Sequence, residues 1–289
     1  MDNSLLVQLV LNGLVLSLTY ILIASGLTLV FGILNVLNFA HGEFYVLGSY
    51  ATFYLFGQFG INYVLAVILS FLMIGLLGLI IERIFYRPIR GQPIPGIIVA
   101  LALVLLLESA ASLLFGNEDR FVSSPVSGVL HIFGASLTWQ RLLIIVVSAS
   151  IILGLYFAIR KLKFGRAIRA VAEDREAAAL QGVNVDRMCL LTFGIGCALA
   201  GVAGALLIPE FFVNPYGGLG QVLKAALVIV LGGLGSVPGT IAGGFILGFV
   251  DSIGQSYIGG MTSLLSFILI LLILIVRPRG LMGVTREEQ

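Results

Sequence analysis

The sequence predicts an all-α polytopic membrane protein, a single transmembrane domain over 1–289 with about nine (eight to ten) transmembrane or partly re-entrant helices. Three observations carry that prediction. Hydrophobic residues make up 59% of the 289 and charged residues only 10%, whereas soluble domains carry about a quarter charged residues, and the mean hydropathy is +1.12. Apolar runs of roughly 20 residues recur from end to end, the length at which a helix crosses a bilayer with its backbone groups satisfied internally. The basic residues gather in alternate loops, as they do around membrane spans.

Taken in order, the apolar runs place segments at roughly 5–31, 41–57, 62–82, 94–115, 141–159, 188–208, 222–233, 239–257 and 262–276. The start Met1-Asp2-Asn3-Ser4 lacks the positive stretch of a cleaved signal, so the first run is expected to stay as a helix. Arg83, Arg87 and Arg90 fall in one loop, Arg160, Lys161, Lys163, Arg166, Arg169, Arg175 and Arg187 in another, and Arg277, Arg279 and Arg286 in the tail. Nine alternating spans put all three groups on one side, the cytoplasm, with the C-terminus there too. Of the 16 basic residues only Arg120, Arg141 and Lys224 remain for other places. The first basic residue is Arg83, so charge leaves the side of the amino terminus open: outside if 41–57 crosses, inside if it only dips in.

The same composition excludes several function classes. A net charge of +2 without a basic cluster outside short loops offers nothing to nucleic acid. Cys189 and Cys197 sit eight apart in one apolar stretch, too far along a helix to bond to each other, and read as packing residues. His41 and His131 lack partners at metal-ligand spacing, so neither a metal site nor any other cofactor is expected. Lys161, Lys163 and Lys224 are followed by Leu162, Phe164 and Ala225, never Ser or Thr, which rules out a phosphate-binding loop.

Two places interrupt the helical pattern. Asn35, Asn38, His41, Gly42 and Glu43 precede a run, Phe44 to Phe56, of only thirteen residues, about 20 Å as a helix. Gly232, Gly233, Gly235, Pro238 and Gly239 split a later stretch into two short halves. Paired interruptions in corresponding parts of two halves point to a transport pathway. At an offset of 200 residues, Leu27, Val30, Gly32, Leu34, Leu47 and Gly48 meet Leu227, Val230, Gly232, Leu234, Leu247 and Gly248. The competing reading makes the glycines packing contacts and sets the polar residues at a membrane surface. Glu108 and Asp251 are ionisable groups inside predicted spans and join Asn35, Asn38, His41 and Glu43 as candidate pathway residues, since such groups are costly in lipid. Polar patches of this kind also join helices. Gly196, Ala200 and Gly204, and Gly239 with Gly243, have the four-residue spacing that lets helices approach closely, and are expected to leave a small-residue surface for another membrane subunit.

The cytoplasmic loop 160–187 contains a short helix of its own: Asp174 as cap, Glu173 and Glu176 near its positive end, Ala177 to Leu180 as helix formers, and Gly182 as the left-handed stop. Alanines with nothing of the chain to pack on imply a partner groove. Glu176 to Gly182, EAAALQG, resembles the EAA-x-x-x-G coupling loop of ABC importer permeases, although the Ile-x-Leu-Pro continuation is absent. The stretch GLTLVFGILNVLNFAHGEFYVLGSY from Gly26 to Tyr50 strongly resembles the LivH family of branched-chain amino acid permeases, as do GRAIRAVAEDREAAALQGVNVDR, LGGLGSVPGTIAGG at 231–244 and RPRGLMG at 277–283. The resemblance spans nearly the whole chain. It implies an ABC importer permease fold, a non-catalytic subunit, a LivM-like second permease, two ABC ATPase subunits that bind the ATP, and a periplasmic substrate-binding protein. It also implies that Glu173, Asp174, Arg175, Glu176, Ala177, Ala178 and Gly182 form the ATPase-coupling element. Urea, amides, other amino acids or sugars are carried by similar permeases, and a secondary carrier using Glu108 and Asp251 is the alternative from a different class.

Overall fold

Eleven α-helices and one β-hairpin build the chain in a computed structural model that describes residues 3–277 and 280–282. The helices are α1 (Asn3–Leu34), α2 (His41–Thr52), α3 (Tyr63–Ile81), α4 (Pro93–Phe115), α5 (Trp139–Lys161), α6 (Lys163–Glu173), α7 (Arg175–Leu180), α8 (Val185–Leu207), α9 (Gly218–Gly232), α10 (Val237–Tyr257) and α11 (Thr262–Val276). Strands β1 (Val129–Ile132) and β2 (Ala135–Thr138) pair antiparallel, with Val129 opposite Thr138 and Ile132 opposite Ala135. Counting the turns that extend them, eight helices among the described residues are long and apolar enough to cross a membrane: α1, α3, α4, α5, α8, α9, α10 and α11. The expected segment 222–233 is longer than its apolar run, because a helical turn at Pro215–Gly217 leads into α9.

Helix α2 is the ninth segment and has only twelve α-helical residues before a wider π-type turn at Phe53–Gln58. Its first residue lies deep: His41 Nε2 is 3.1 Å from the Ile23 carbonyl, about 16 Å from the carboxyl end of α1 at the helical rise. Its far end lies beside the loop after α4, where the Arg120 guanidinium stands 5.8 Å from the Phe53 ring centre. The segment therefore starts near mid-depth and runs to the face of the hairpin.

That geometry decides the side of the amino terminus. The start of α1 touches the hairpin and the top of α5, with Gln8 Oε1 accepting from the Ser136 amide at 2.9 Å and Asn12 Oδ1 from Arg141 at 3.0 Å. Its other end meets α7, where Arg175 donates to the Ile33 carbonyl. The amino terminus thus stands on the face opposite the 160–187 loop. Arg277 is the last residue of the tail's basic group that falls in the description; Arg279 and Arg286 lie outside the described residues, as do Pro278 and Gly283 of the tail motif.

Helix α8 is the core, and its small residues explain why. Gly196 abuts the Gly26 carbonyl of α1, Gly204 the Tyr45 carbonyl of α2, and Ala200 between them is fully buried. Any side chain at Gly196 or Gly204 would drive into backbone. Gly239 and Gly243 press on Gly232 and the Val228 carbonyl of α9, while Gly244 and Gly248 meet Ile21 and Ser17 of α1. The small-residue surface expected for another subunit is thus consumed inside the chain, a correction to the sequence expectation. Close approach raises dispersion contact where lipid supplies no hydrophobic drive between helices. The faces that remain exposed are built from large side chains, such as Leu65, Ile68 and Leu72 of α3 and Leu101 and Leu105 of α4.

Candidate functional site

The first interruption unfolds into a descending loop. Asn35 leaves α1 with φ +55°, its amide still donating to the Phe31 carbonyl at 2.8 Å, and asparagine tolerates that left-handed geometry. Three residues on, the Asn38 carboxamide oxygen accepts from the Ala40 amide at 3.1 Å and from the Tyr86 hydroxyl of the α3 extension at 3.0 Å. His41 then opens α2. Because Nε2 faces a carbonyl, it is the ring nitrogen that carries hydrogen there, and Nδ1 is left as an acceptor. Asn38, His41 and Glu43 are each buried to within 2% of completely, yet Asn38 Nδ2, His41 Nδ1 and Glu43 Oε2 have no partner among the described residues. Each such atom costs about 1–3 kcal/mol. A row of three in one short stretch is the strongest polar anomaly in the membrane-embedded part.

Glu43 sits in the first turn of α2 against Gly218, the first residue of α9, so the amino ends of two helices converge on its carboxylate. Helix amino ends favour negative charge. Tyr50 of α2 stacks on Phe115 of α4 at 4.4 Å between ring centres, and both helices run toward the hairpin face. Two turns back along each lie Glu43 and Glu108, on the same facing flanks. Glu108 is half-buried, and among the described residues no cation pairs with either carboxylate.

The other predicted pathway residues are elsewhere. Asn35 is exposed and lines a cavity of about 650 Å³ with Glu173, Asp174, Arg175 and Glu176 of the 160–187 loop. Asp251 is buried in a separate cluster: it accepts from Lys224 Nζ and the Tyr20 hydroxyl at 2.7 Å each and from the Ser266 hydroxyl, tying α9, α10, α1 and α11 together. The Lys224 ammonium lies 5.9 Å from the Tyr20 ring centre. A polar patch along α10 alone does not reveal these partners, which come from distant segments.

The loop differs from its expectation in two ways. It holds two helices rather than one: Glu173 closes α6, and only Asp174 caps α7, accepting from the Glu176 and Ala177 amides at 2.8 and 3.0 Å. Helix α6 is hard to see in the sequence because its charges mask an apolar edge, Ile168 and Val171, that is buried. Second, one of the alanines does have something of its own chain to pack on. Ala178 is only 3% exposed, so a bulky residue there would disrupt the loop itself, while Ala177 and Ala179 are exposed and Leu180 is 90% exposed. Leu180 is the projecting apolar side chain of α7, a role that the sequence signals only through its place inside the EAAALQG run. Gly182 has φ +83°, the left-handed stop expected of it.

The chain matches the family described as branched-chain amino acid transport system / permease component over residues 9–276. It is 38% identical to the high-affinity branched-chain amino acid transport system permease protein LivH of Salmonella typhimurium, over 98% of this chain and 97% of the relative. It is 36% identical to the corresponding BraD protein of Pseudomonas aeruginosa, with the same coverage. Among solved structures, PsaBC from Streptococcus pneumoniae in complex with Fab aligns with a TM-score of 0.53 over 94% of this chain and 92% of that chain at 15% identity, a likeness of fold alone.

Proposed function

The chain is a member of the branched-chain amino acid transport system permease family, and on that premise we propose that it is the membrane subunit of an ABC importer carrying branched-chain amino acids across a bacterial inner membrane. The near-full-length likeness to LivH carries this reading. Its partners are a LivM-like permease, two ATPase subunits and a periplasmic binding protein, and the ATP is bound by the ATPases. Helix α7 is the coupling element: a capped helix on the strongly basic face that holds itself in place through buried Ala178 and presents Ala177, Ala179 and Leu180 outward. The stretch Asn38–Glu43 with Glu108 belongs to the translocation route, where groups left unpaired among the described residues offer passing solute weak hydrogen bonds in place of water.

The test is reconstitution of the chain, co-expressed with its neighbouring transporter subunits, into liposomes with radiolabelled leucine. Uptake is expected only with ATP and all subunits, and Leu180→Asp is expected to release the ATPases during purification while the chain still inserts. Uptake by the isolated chain under an ion gradient would overturn the importer reading; ATP-driven uptake of urea but not leucine would overturn the substrate class.

A further inference from the structure

Helix α1 ends in a way that its own sequence leaves incomplete. The last carbonyls of any helix lack intrahelical partners and carry partial negative charge, so a cation there is favourable. The last turn of α1 contains no basic residue. The cation comes instead from the first residue of α7: the half-buried Arg175 reaches across and donates from its guanidinium to the Ile33 carbonyl. Two residues beyond Ile33 the chain turns left-handed at Asn35 and descends to Asn38 and His41. Around this bridge lies a cavity of about 650 Å³, lined by Asn35 on one side and residues 173–176 on the other.

We infer that Arg175 is the positioning residue that transmits movement of α7 to the end of α1, and through Asn35 to the re-entrant loop that carries Asn38, His41 and Glu43. The inference rests on the coupling reading of α7. The chain of contacts is continuous. Arg175 holds the Ile33 carbonyl, Asn35 pivots next to it, Asn38 is tied to Tyr86, and His41 is tied back to Ile23 in the middle of α1. A pull on the Ile33 carbonyl turns the 35–40 segment against two fixed points and shifts the start of α2. Two features make arginine fit this place. It is always charged, and its planar fork holds an orientation that a flexible ammonium does not.

The complete transporter in liposomes separates this role from docking. For Arg175→Ala, the ATPases should co-purify in unchanged amount and hydrolyse ATP, while leucine taken up per ATP falls at least roughly tenfold; Arg175→Lys, which keeps the charge without the planar fork, should recover part of the coupling ratio. Leu180→Asp is the control for the reading beneath it, because retained ATPases in that variant would sink the coupling-helix assignment itself. An unchanged uptake-to-ATP ratio in Arg175→Ala overturns the inference, and so does loss of the ATPases from that variant, which would make Arg175 a docking residue. A spin-label pair at Asn35→Cys and Glu176→Cys adds a second readout. With Arg175 in place the separation should stay fixed through the ATP cycle, and with Arg175→Ala added it should vary; a separation equally variable in both backgrounds overturns the linkage.

Discussion

Residues 35–40, with two asparagines, and residues 233–236, with two glycines and a serine, both break apolar helix and both pair backbone amides locally, yet they differ in what they leave buried. At the second, the backbone around the break finds local partners. Gly233 donates to Ile229 at 2.9 Å, the Ser236 hydroxyl caps α10 by accepting from Gly239 at 3.1 Å, and the tail closes the end of α9 through Leu281 to the Leu231 carbonyl and Met282 to the Gly232 carbonyl, each 2.9 Å. Helices α9 and α10 are both long enough to cross, so this break is a tight turn between complete spans rather than a split helix. At the first, the chain re-enters, α2 starts at depth, and buried side-chain atoms stay unpaired. A break whose buried polar groups are all partnered marks architecture. Unsatisfied side chains at depth mark the place where polar chemistry is tolerated only because something else completes it.

The largest effect is expected on the structural side. Asp251→Asn strands the Lys224 ammonium, and the loss should be about 3–5 kcal/mol, the range for breaking a buried pair, read as a lower melting temperature in detergent. The double variant with Lys224→Met should recover much of it. If Asp251→Asn instead melts normally and loses uptake alone, Asp251 is a pathway group after all and the two regions are alike. Next comes Gly239→Val. A side chain there meets the Gly232 carbonyl, so the α9–α10 turn cannot close, and the cost should reach or pass about 3 kcal/mol, the upper end for overpacking. Normal yield and melting of this variant would show the turn to be pliable.

A smaller and different effect is expected at the first break. Glu43→Gln keeps size and one acceptor while removing the ionisable group at the ends of α2 and α9; melting should hold, and uptake of leucine should fall about tenfold, near 1.4 kcal/mol. A drop in melting with unchanged uptake per folded protein would make Glu43 structural. The smallest effect tests a contact between the helices that flank the two breaks, the 2.6 Å hydrogen bond between the Thr28 hydroxyl of α1 and the Thr240 hydroxyl of α10. A double-mutant cycle with Thr28→Val and Thr240→Val should return roughly 0.6 kcal/mol of coupling, the average for interhelical hydrogen bonds in a membrane protein. A cycle that returns zero says the hydroxyls bond elsewhere.

Much of the architecture was legible in the residues alone, and for one reason: in lipid each crossing segment must satisfy its own backbone, so length and apolarity declare a span without knowledge of its neighbours. The nine segments, the Asp174 cap and the Gly182 stop are all local facts of this kind. What tertiary structure decided is which faces meet. In a soluble helix, polarity separates the buried face from the wet one, but here lipid and protein interior are equally apolar, so nothing along α8 shows that Gly196 and Gly204 serve α1 and α2 of the same chain and not a second subunit. The partners of Asp251 lie on α1, α9 and α11, as far as 231 residues away. The depth of α2 follows from His41 finding the Ile23 carbonyl, and the side on which α1 starts follows from its contacts with the hairpin and with α7, two steps that no stretch of sequence contains because each depends on a contact that only packing brings together.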